Sequence, residues 1–175
     1  YDSEETLNKL LLRIKHFQSE KLILLGDTFH DKKAKSRLSN ISKDLFNKIF
    51  TEYKTIFITG NHDKNIDLGL FQGHEKYEID QIKFIHKAIK NQEVQISGHF
   101  HPNVSLKIGE KKVTRKCLIH NDNIMILPSF GSFTGGLNIK KNEIQSYFNQ
   151  KFFVYLLSGK NIFKFSSKNL KQNLI

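Results

Sequence analysis

Leu7, Leu10, Leu11, Ile14 and Phe17 recur at the spacing of one helical face, and Asp2 with Glu5 makes a capping pair, so residues 3 to 19 are expected to form an amphipathic helix. Leu22 to Leu25 is a continuous apolar run, the pattern of a strand covered on both faces. Leu38, Ile41, Leu45, Ile49 and Phe50 mark a second helix, and Lys54 to Thr59 a second strand. Strand, helix, strand implies a parallel βαβ unit, whose functional loops gather at the carboxyl ends of its strands. Asp27 and Asn61 stand at those ends.

From Lys76 onward the pattern changes to paired strands: "KYEIDQIKFIH", "VQISGHFH", "VSLKIGEKKVTRKCLIHN", "NIMILPSF" and "FFVYLLSGKNIFKFS". "IDQI", "IGEKK" and "LSGKN" are hairpin connections, the last two with Gly for the left-handed backbone position. The second half should be mostly sheet. With no Pro-rich linker, internal repeat or visible boundary, residues 1–175 are expected to form a single α/β domain.

At 175 residues and 38% hydrophobic content the chain can bury a sizeable core. No apolar run approaches the length of a membrane span, and the start, "YDSEETL", has no secretory pattern, so a cytoplasmic protein is expected. The single cysteine, Cys117, cannot form an internal disulfide and reads as a small buried hydrophobe. A net charge of +11 suits a polyanion such as nucleic acid, because each cation that neutralises a phosphate releases counterions. The same Lys- and Asn-rich bias can arise from A/T-rich coding.

Three motifs share one layout, an apolar strand running into Gly and then into metal ligands: "LLGD" ending at Asp27, "ITGNHD" with Asn61, His62 and Asp63, and "ISGHFH" with His99 and His101. His86 closes "IKFIH" in the same manner. Polar groups at the end of a core strand are costly unless they bind something or pair with one another. Carboxylate, amide oxygen and imidazole together suit first-row divalent ions such as Mn, Fe or Zn. The Gly before each ligand lets the backbone turn tightly. If "GHFH" continued as a regular strand, His99 and His101 would share a face and could serve one pair of ions. Two ions bridged by a carboxylate stabilise the attacking and leaving oxygens of phosphoryl displacement and acidify water, so phosphoester hydrolysis is the natural chemistry. His62 could protonate the leaving oxygen, with Asp63 orienting it.

"GD", "GNHD", a lone His after a strand and "GHFH", in this order, resemble motifs two to five of the calcineurin-like binuclear metallophosphoesterases. "LLGDTFHD" and "SGHFHP" followed by "RKCLIHNDNIMILPSFGSFTGGLNI" are similar to the branch of ligase-associated DNA damage response endonucleases. The resemblance implies a four-layer α/β/β/α sandwich of two mixed sheets flanked by helices. It implies two divalent ions, Mn foremost, with Asp27 bridging, Asn61, His86 and His99 on the second metal, and His101 on the first. It also implies His62 as the general acid with Asp63 as its partner, hydroxide held between the ions as the nucleophile, DNA as the polymer bound, and a repair ligase or helicase as companion. One motif is missing: the family's Asp-x-His precedes the first helix and has no counterpart here. The expectation is therefore a truncated chain, without the first core strand, whose first metal site is weak.

Other residues carry weaker signals. "DKKAKSR" puts a basic loop after Asp27, so Lys32, Lys33 and Arg37 are candidates for a phosphate-attracting rim, with His30 beside them; the alternative is a solvated loop. Arg115 and Lys116 read as water-facing residues of an edge strand. "FGSFTGG" could stack a base, but Phe130 and Phe133 read better as core. His16, on the amphipathic helix, reads as a surface or interface residue and not a ligand, and His74 and His120 read as structural. The function expected is a metal-dependent phosphodiesterase, a nuclease of DNA repair. Two alternatives stand beside it: a phosphatase or phosphodiesterase for small nucleotides, and a catalytically impaired binding module on the same fold.

Overall fold

The structure is a computed structural model and describes residues 2–28, 37–62, 72–132 and 134–170. The chain divides into two compact units: Tyr1–Tyr77 with Phe84–His86 and Phe130–Phe133, and Glu78–Lys83 with Lys87–Ser129 and Thr134–Ile175.

The first unit is built on the βαβ order read from the sequence. Helix α1 (Asp2–His16) leads to β1 (Lys21–Leu24), α2 (Asn40–Glu52), β2 (Lys54–Ile58) and β3 (Gly73–His74). The three strands form one sheet in the order β1-β2-β3, parallel throughout, with Leu22 opposite Thr55 and Leu24 opposite Phe57. Its core joins Leu7 and Ile14 of α1 to Phe46, Ile49 and Phe50 of α2 and to Phe57 of β2. The Phe46 and Phe50 rings meet edge to face at 4.2 Å, a geometry aromatic quadrupoles favour. Ser39 caps α2, its hydroxyl accepting from the Ser42 backbone N–H at 3.1 Å.

Three details differ from the sequence pattern. Helix α1 stops at His16 instead of residue 19, because Gln18 turns left-handed at φ 50° and the amides of Gln18 and Ser19 bond back to the carbonyls of Lys15 and Ile14. This is a Schellman closure made without glycine. In α2 the buried face is Ser42, Phe46, Ile49 and Phe50, whereas Ile41 is 64% exposed. The true stripe runs through 42, 46, 49 and 50, and residues 41 and 45 flank it. Strand β1 is half-buried, not covered, since it is the edge of its sheet.

The second unit carries most of the strands. They are β6 (Gln95–Ser97), β7 (Asn103–Ile108), β8 (Lys111–His120), β9 (Ile124–Ile126), β10 (Phe153–Ser158) and β11 (Asn161–Ser166), together with parts of β4 (Lys76–Ile79) and β5 (Ile82–Ile85), whose residues Lys76, Tyr77, Phe84 and Ile85 belong to the first unit. The sheet runs β11-β10-β8-β9-β6-β5-β4, with β7 paired to β8. All three expected hairpins form. Gly109 and Gly159 take the left-handed turn position at φ 60° and 59°, while the β4–β5 turn places Asp80 at φ 48° and Gln81 at 66° with no glycine at all. Two short helices, α3 (Asn142–Gln145) and α4 (Ser167–Leu170), have too few residues to leave a periodic trace.

Strand β8 organises this unit. Its first half pairs with β7 from Lys111 to Lys116, and its second half pairs with β10 from Cys117 to His120. Among the described residues Arg115 and Lys116 pair on one side only, with β7, and Arg115 is exposed while Lys116 is half-buried. Cys117 and Ile119 alternate inward and join Val104, Ile126, Ile139, Ile144 and Val154 in the core. Cys117 is fully buried, as its reading required, and burial pushes its thiol up to about 12. His120 stacks on Phe153 and Tyr155 at 5.6 and 5.5 Å, a packing role. In the first unit Phe130, expected in a core, is 44% exposed, and Lys9 Nζ lies 4.8 Å over its ring, a polar cover in place of an apolar one. Phe133 lies outside the described residues.

Candidate metal centre

The first unit gathers four of the expected residues at the carboxyl ends of its strands. After β1 the chain turns through Gly26 at φ 87° and Asp27 at φ 52°. A left-handed backbone is uncommon outside glycine, Asp and Asn tolerate it best, and it clusters where side chains are held for a task. A Cβ on Gly26 would strike His86 Nδ1 and lie 2.7 Å from Gly60 Cα, so glycine is required there by both conformation and crowding. Gly60 takes no left-handed angle and is needed for space alone. A Cβ there would collide with Asp27 N and Oδ1 and sit 2.8 Å from its carboxyl carbon. The "GD" and "GNH" turns are packed backbone to side chain.

That packing fixes the carboxylate. The His62 backbone N–H donates to Asp27 Oδ1 at 2.9 Å. The other oxygen, Oδ2, faces His86 Nε2 at 3.3 Å, with both side chains mostly buried, at 12% and 6% exposed. His86 Nδ1 is 2.7 Å from the Leu25 carbonyl oxygen. A carbonyl can only accept, so Nδ1 carries a hydrogen, and in the neutral ring the Nε2 lone pair points at Asp27. Two electron pairs then confront one another at a buried spot unless a cation lies between them or the ring takes a second proton. A backbone carbonyl holding the far nitrogen of an imidazole whose near nitrogen meets a carboxylate is the support expected of a metal-ligating histidine. The donor set of an anionic oxygen and an imidazole nitrogen fits a first-row divalent ion.

Asn61 and His62 follow Gly60 and are both exposed. Asp63, His30, Lys32 and Lys33 lie outside the described residues, and Arg37 is exposed just before Ser39.

In the second unit His99 and His101 are half-buried, but the segment is not a strand. Strand β6 ends at Ser97, and His99 and His101 both take left-handed angles, φ 61° and 46°. The alternation that would have put them on one face does not apply. A tight turn, in which the Phe100 N–H reaches the Gly98 carbonyl at 2.8 Å, replaces it. The His99 ring packs edge to face on Phe100 at 4.8 Å, and Phe100 is buried. Gly136 lies hard against the His101 carbonyl, so a Cβ there would overlap it. Sequence reasoning missed Gly60, Gly136 and the Leu25 carbonyl as supports. Only the glycines leave a trace in sequence, and it reads as turn chemistry, whereas the structure uses them for close approach.

No family model and no curated protein matches the chain. Solved structures that resemble it include a nuclease and a Vps29. The nuclease MPE of Pseudomonas putida is 24% identical, covers 93% of this chain and is covered over 78% of its own, with a TM-score of 0.75. Vps29 from Entamoeba histolytica, complexed with zinc, is 12% identical and covers 90% of this chain and 87% of its own, with a TM-score of 0.38. The likeness to the nuclease shows the fold: this chain has a metallophosphoesterase-like α/β fold. Among the described residues, no helix is long and apolar enough to cross a membrane.

Proposed function

We propose that this chain is a metal-dependent phosphodiesterase that hydrolyses nucleic acid. The observation that carries the reading is the buried pair of Asp27 Oδ2 and His86 Nε2, 3.3 Å apart, with the imidazole's other nitrogen committed to the Leu25 carbonyl. The order of motifs supports giving Asn61, His99 and His101 the remaining ligand roles. The fold shared with a protein named as a nuclease and the net charge of +11 both favour a nucleic-acid substrate. Divalent ions bound there, Mn foremost, would polarise phosphoryl oxygens and acidify water toward neutral pH.

The chain's own groups have distinct tasks in this reading. Asp27 is held by the His62 amide and by the close approach of Gly60, so its oxygens are pre-aimed and need no reorganisation. His86 is excluded from water and locked in one tautomer. The exposed His62 ring delivers a proton to the departing oxygen, with Asp63 as its orienting partner. The resemblance of "GHFHP" and its downstream segment supports a finer placement in DNA repair, in the cytoplasm, beside a ligase or helicase.

Hydrolysis of an aryl phosphodiester with added Mn tests the reading. Wild-type protein should turn over, His62→Ala should be slower by about 10²- to 10⁴-fold, and Asp27→Asn or His86→Ala should abolish the metal stimulation. Wild-type protein without any Mn-stimulated turnover refutes it.

A further inference from the structure

The second unit contains an open hollow of about 180 Å³, lined by polar and apolar surface alike, that the motifs did not anticipate. His101, Arg115, Lys116, Ser129, Gly135 and Gly136 line it, with Asn103, Thr114 and Thr134 completing its wall. Among the described residues no carboxylate lines it. Two cations come from adjacent positions of β8. Arg115 is exposed and its Nη1 donates to the Thr114 carbonyl at 3.0 Å, while the half-buried Lys116 donates through Nζ to the Ser129 carbonyl at 3.1 Å across the hollow's lining. Ser129 supplies a second signal: its hydroxyl is buried and makes no hydrogen bond within the described residues. A buried hydroxyl without a partner costs about 1–3 kcal/mol, and such groups call for an explanation. Gly135 has nothing within 4 Å on the side where a Cβ would stand, which keeps the space open.

We propose that this cavity is a phosphate subsite for one phosphodiester of a bound nucleic-acid strand, with Arg115 as its principal recognition residue and Lys116 and Ser129 in support. The proposal rests on the nuclease reading above and names where the strand is gripped. Size sets the ligand: pockets that enclose whole drug-sized molecules span about 300–1,000 Å³, so this one suits a single tetrahedral anion and not a buried nucleotide. Charge sets the rest, because Arg presents a planar fork of donors that matches phosphate oxygens and Lys adds a point charge. His101 lines the same cavity, which places the subsite against one of the candidate ligands.

Binding of a short fluorescein-labelled single-stranded oligodeoxynucleotide in EDTA, followed by anisotropy across a salt series, tests it without relying on turnover. Arg115→Ala should weaken binding about tenfold and lower the salt slope by about 1. Arg115→Lys should keep the slope and lose part of the affinity. Lys160→Ala, which removes an equal charge from the exposed β10–β11 turn, should leave tight binding intact. Inorganic phosphate should compete more weakly for the Arg115→Ala protein than for the wild type if a discrete anion site exists. Arg115→Ala binding indistinguishable from Lys160→Ala overturns the proposal. An Arg115 effect in a wild-type protein that lacks Mn-dependent hydrolysis sustains the subsite and sinks only the catalytic reading.

Discussion

Replacing Gly60 by alanine puts one methyl group at the closest approach between the "GNH" turn and the candidate bridging carboxylate. The added Cβ would lie 2.8 Å from the Asp27 carboxyl carbon, inside the 3.4 Å where ordinary contact begins, and would overlap Asp27 N and Oδ1. The obstacle includes backbone, so a side-chain rotation cannot relieve it. Over-packing of this kind costs about 1–3 kcal/mol, and displacing Asp27 also weakens its 2.9 Å bond from the His62 amide. A total near 2–4 kcal/mol should lower Tm by roughly 4–16 °C in a chain of this size. Metal binding separates this from simple loss of stability. At a free Mn concentration one hundred times Kd, the wild type gains about 2.7 kcal/mol from the ion; if misplacing a ligand costs 100-fold in affinity, the variant gains only about 0.4 kcal/mol. Thermal melts with and without Mn, alongside calorimetric titration, read both quantities. Gly109→Ala is the contrast, since nothing stands within 4 Å of its Cβ and only the φ of 60° opposes it. It should cost about 1 kcal/mol and leave Mn binding unchanged. A Gly60→Ala protein with wild-type Mn affinity would refute the claim that the two turns hold Asp27 by contact.

Other expectations follow from single features. Cys117 should resist thiol reagents in the native state at pH 8 and react on unfolding, as measured by thiol titration with and without denaturant. Because the folded thiol keeps its proton to about pH 12 while the unfolded one loses it near pH 9, stability should fall as pH rises through that window, by about 1.4 kcal/mol per unit, and Cys117→Ala should remove that slope in urea melts. Gln81→Gly relieves the φ of 66° at the β4–β5 turn and should raise stability by about 0.5–1 kcal/mol, visible as a higher Tm. Ile119→Ala, at a position with no exposure in the second core, should cost about 2–5 kcal/mol by chemical denaturation.

Local order was legible in the sequence. Hydrophobic spacing placed both long helices, the parallel βαβ unit and all three hairpins, because such elements are set by contacts between residues a few positions apart. The "GD" and "GNH" turns marked the strand ends at which Asp27, Asn61 and His62 stand, since polar residues ending a core strand need a partner. Charge placement told less. Arg115 and Lys116 read as water-facing edge residues, and nothing near them in sequence revealed that β8 leaves β7 after Lys116 and pairs with β10 from Cys117.

Tertiary structure alone decided which atoms support the candidate ligands. The Leu25 carbonyl that fixes the His86 tautomer is a backbone atom, which no side-chain pattern records, and it meets a residue 61 positions away. Gly60 and Gly136 were readable as flexible residues, yet their task is to leave room, a property of what packs against them. The left-handed angles at Asp27, His99 and His101 likewise depend on the surrounding chain, because an isolated Asp or His has no reason to hold them. The side chains that can carry chemistry were chosen by sequence; their orientation was chosen by packing, where energies of a few kcal/mol from distant neighbours override local preference.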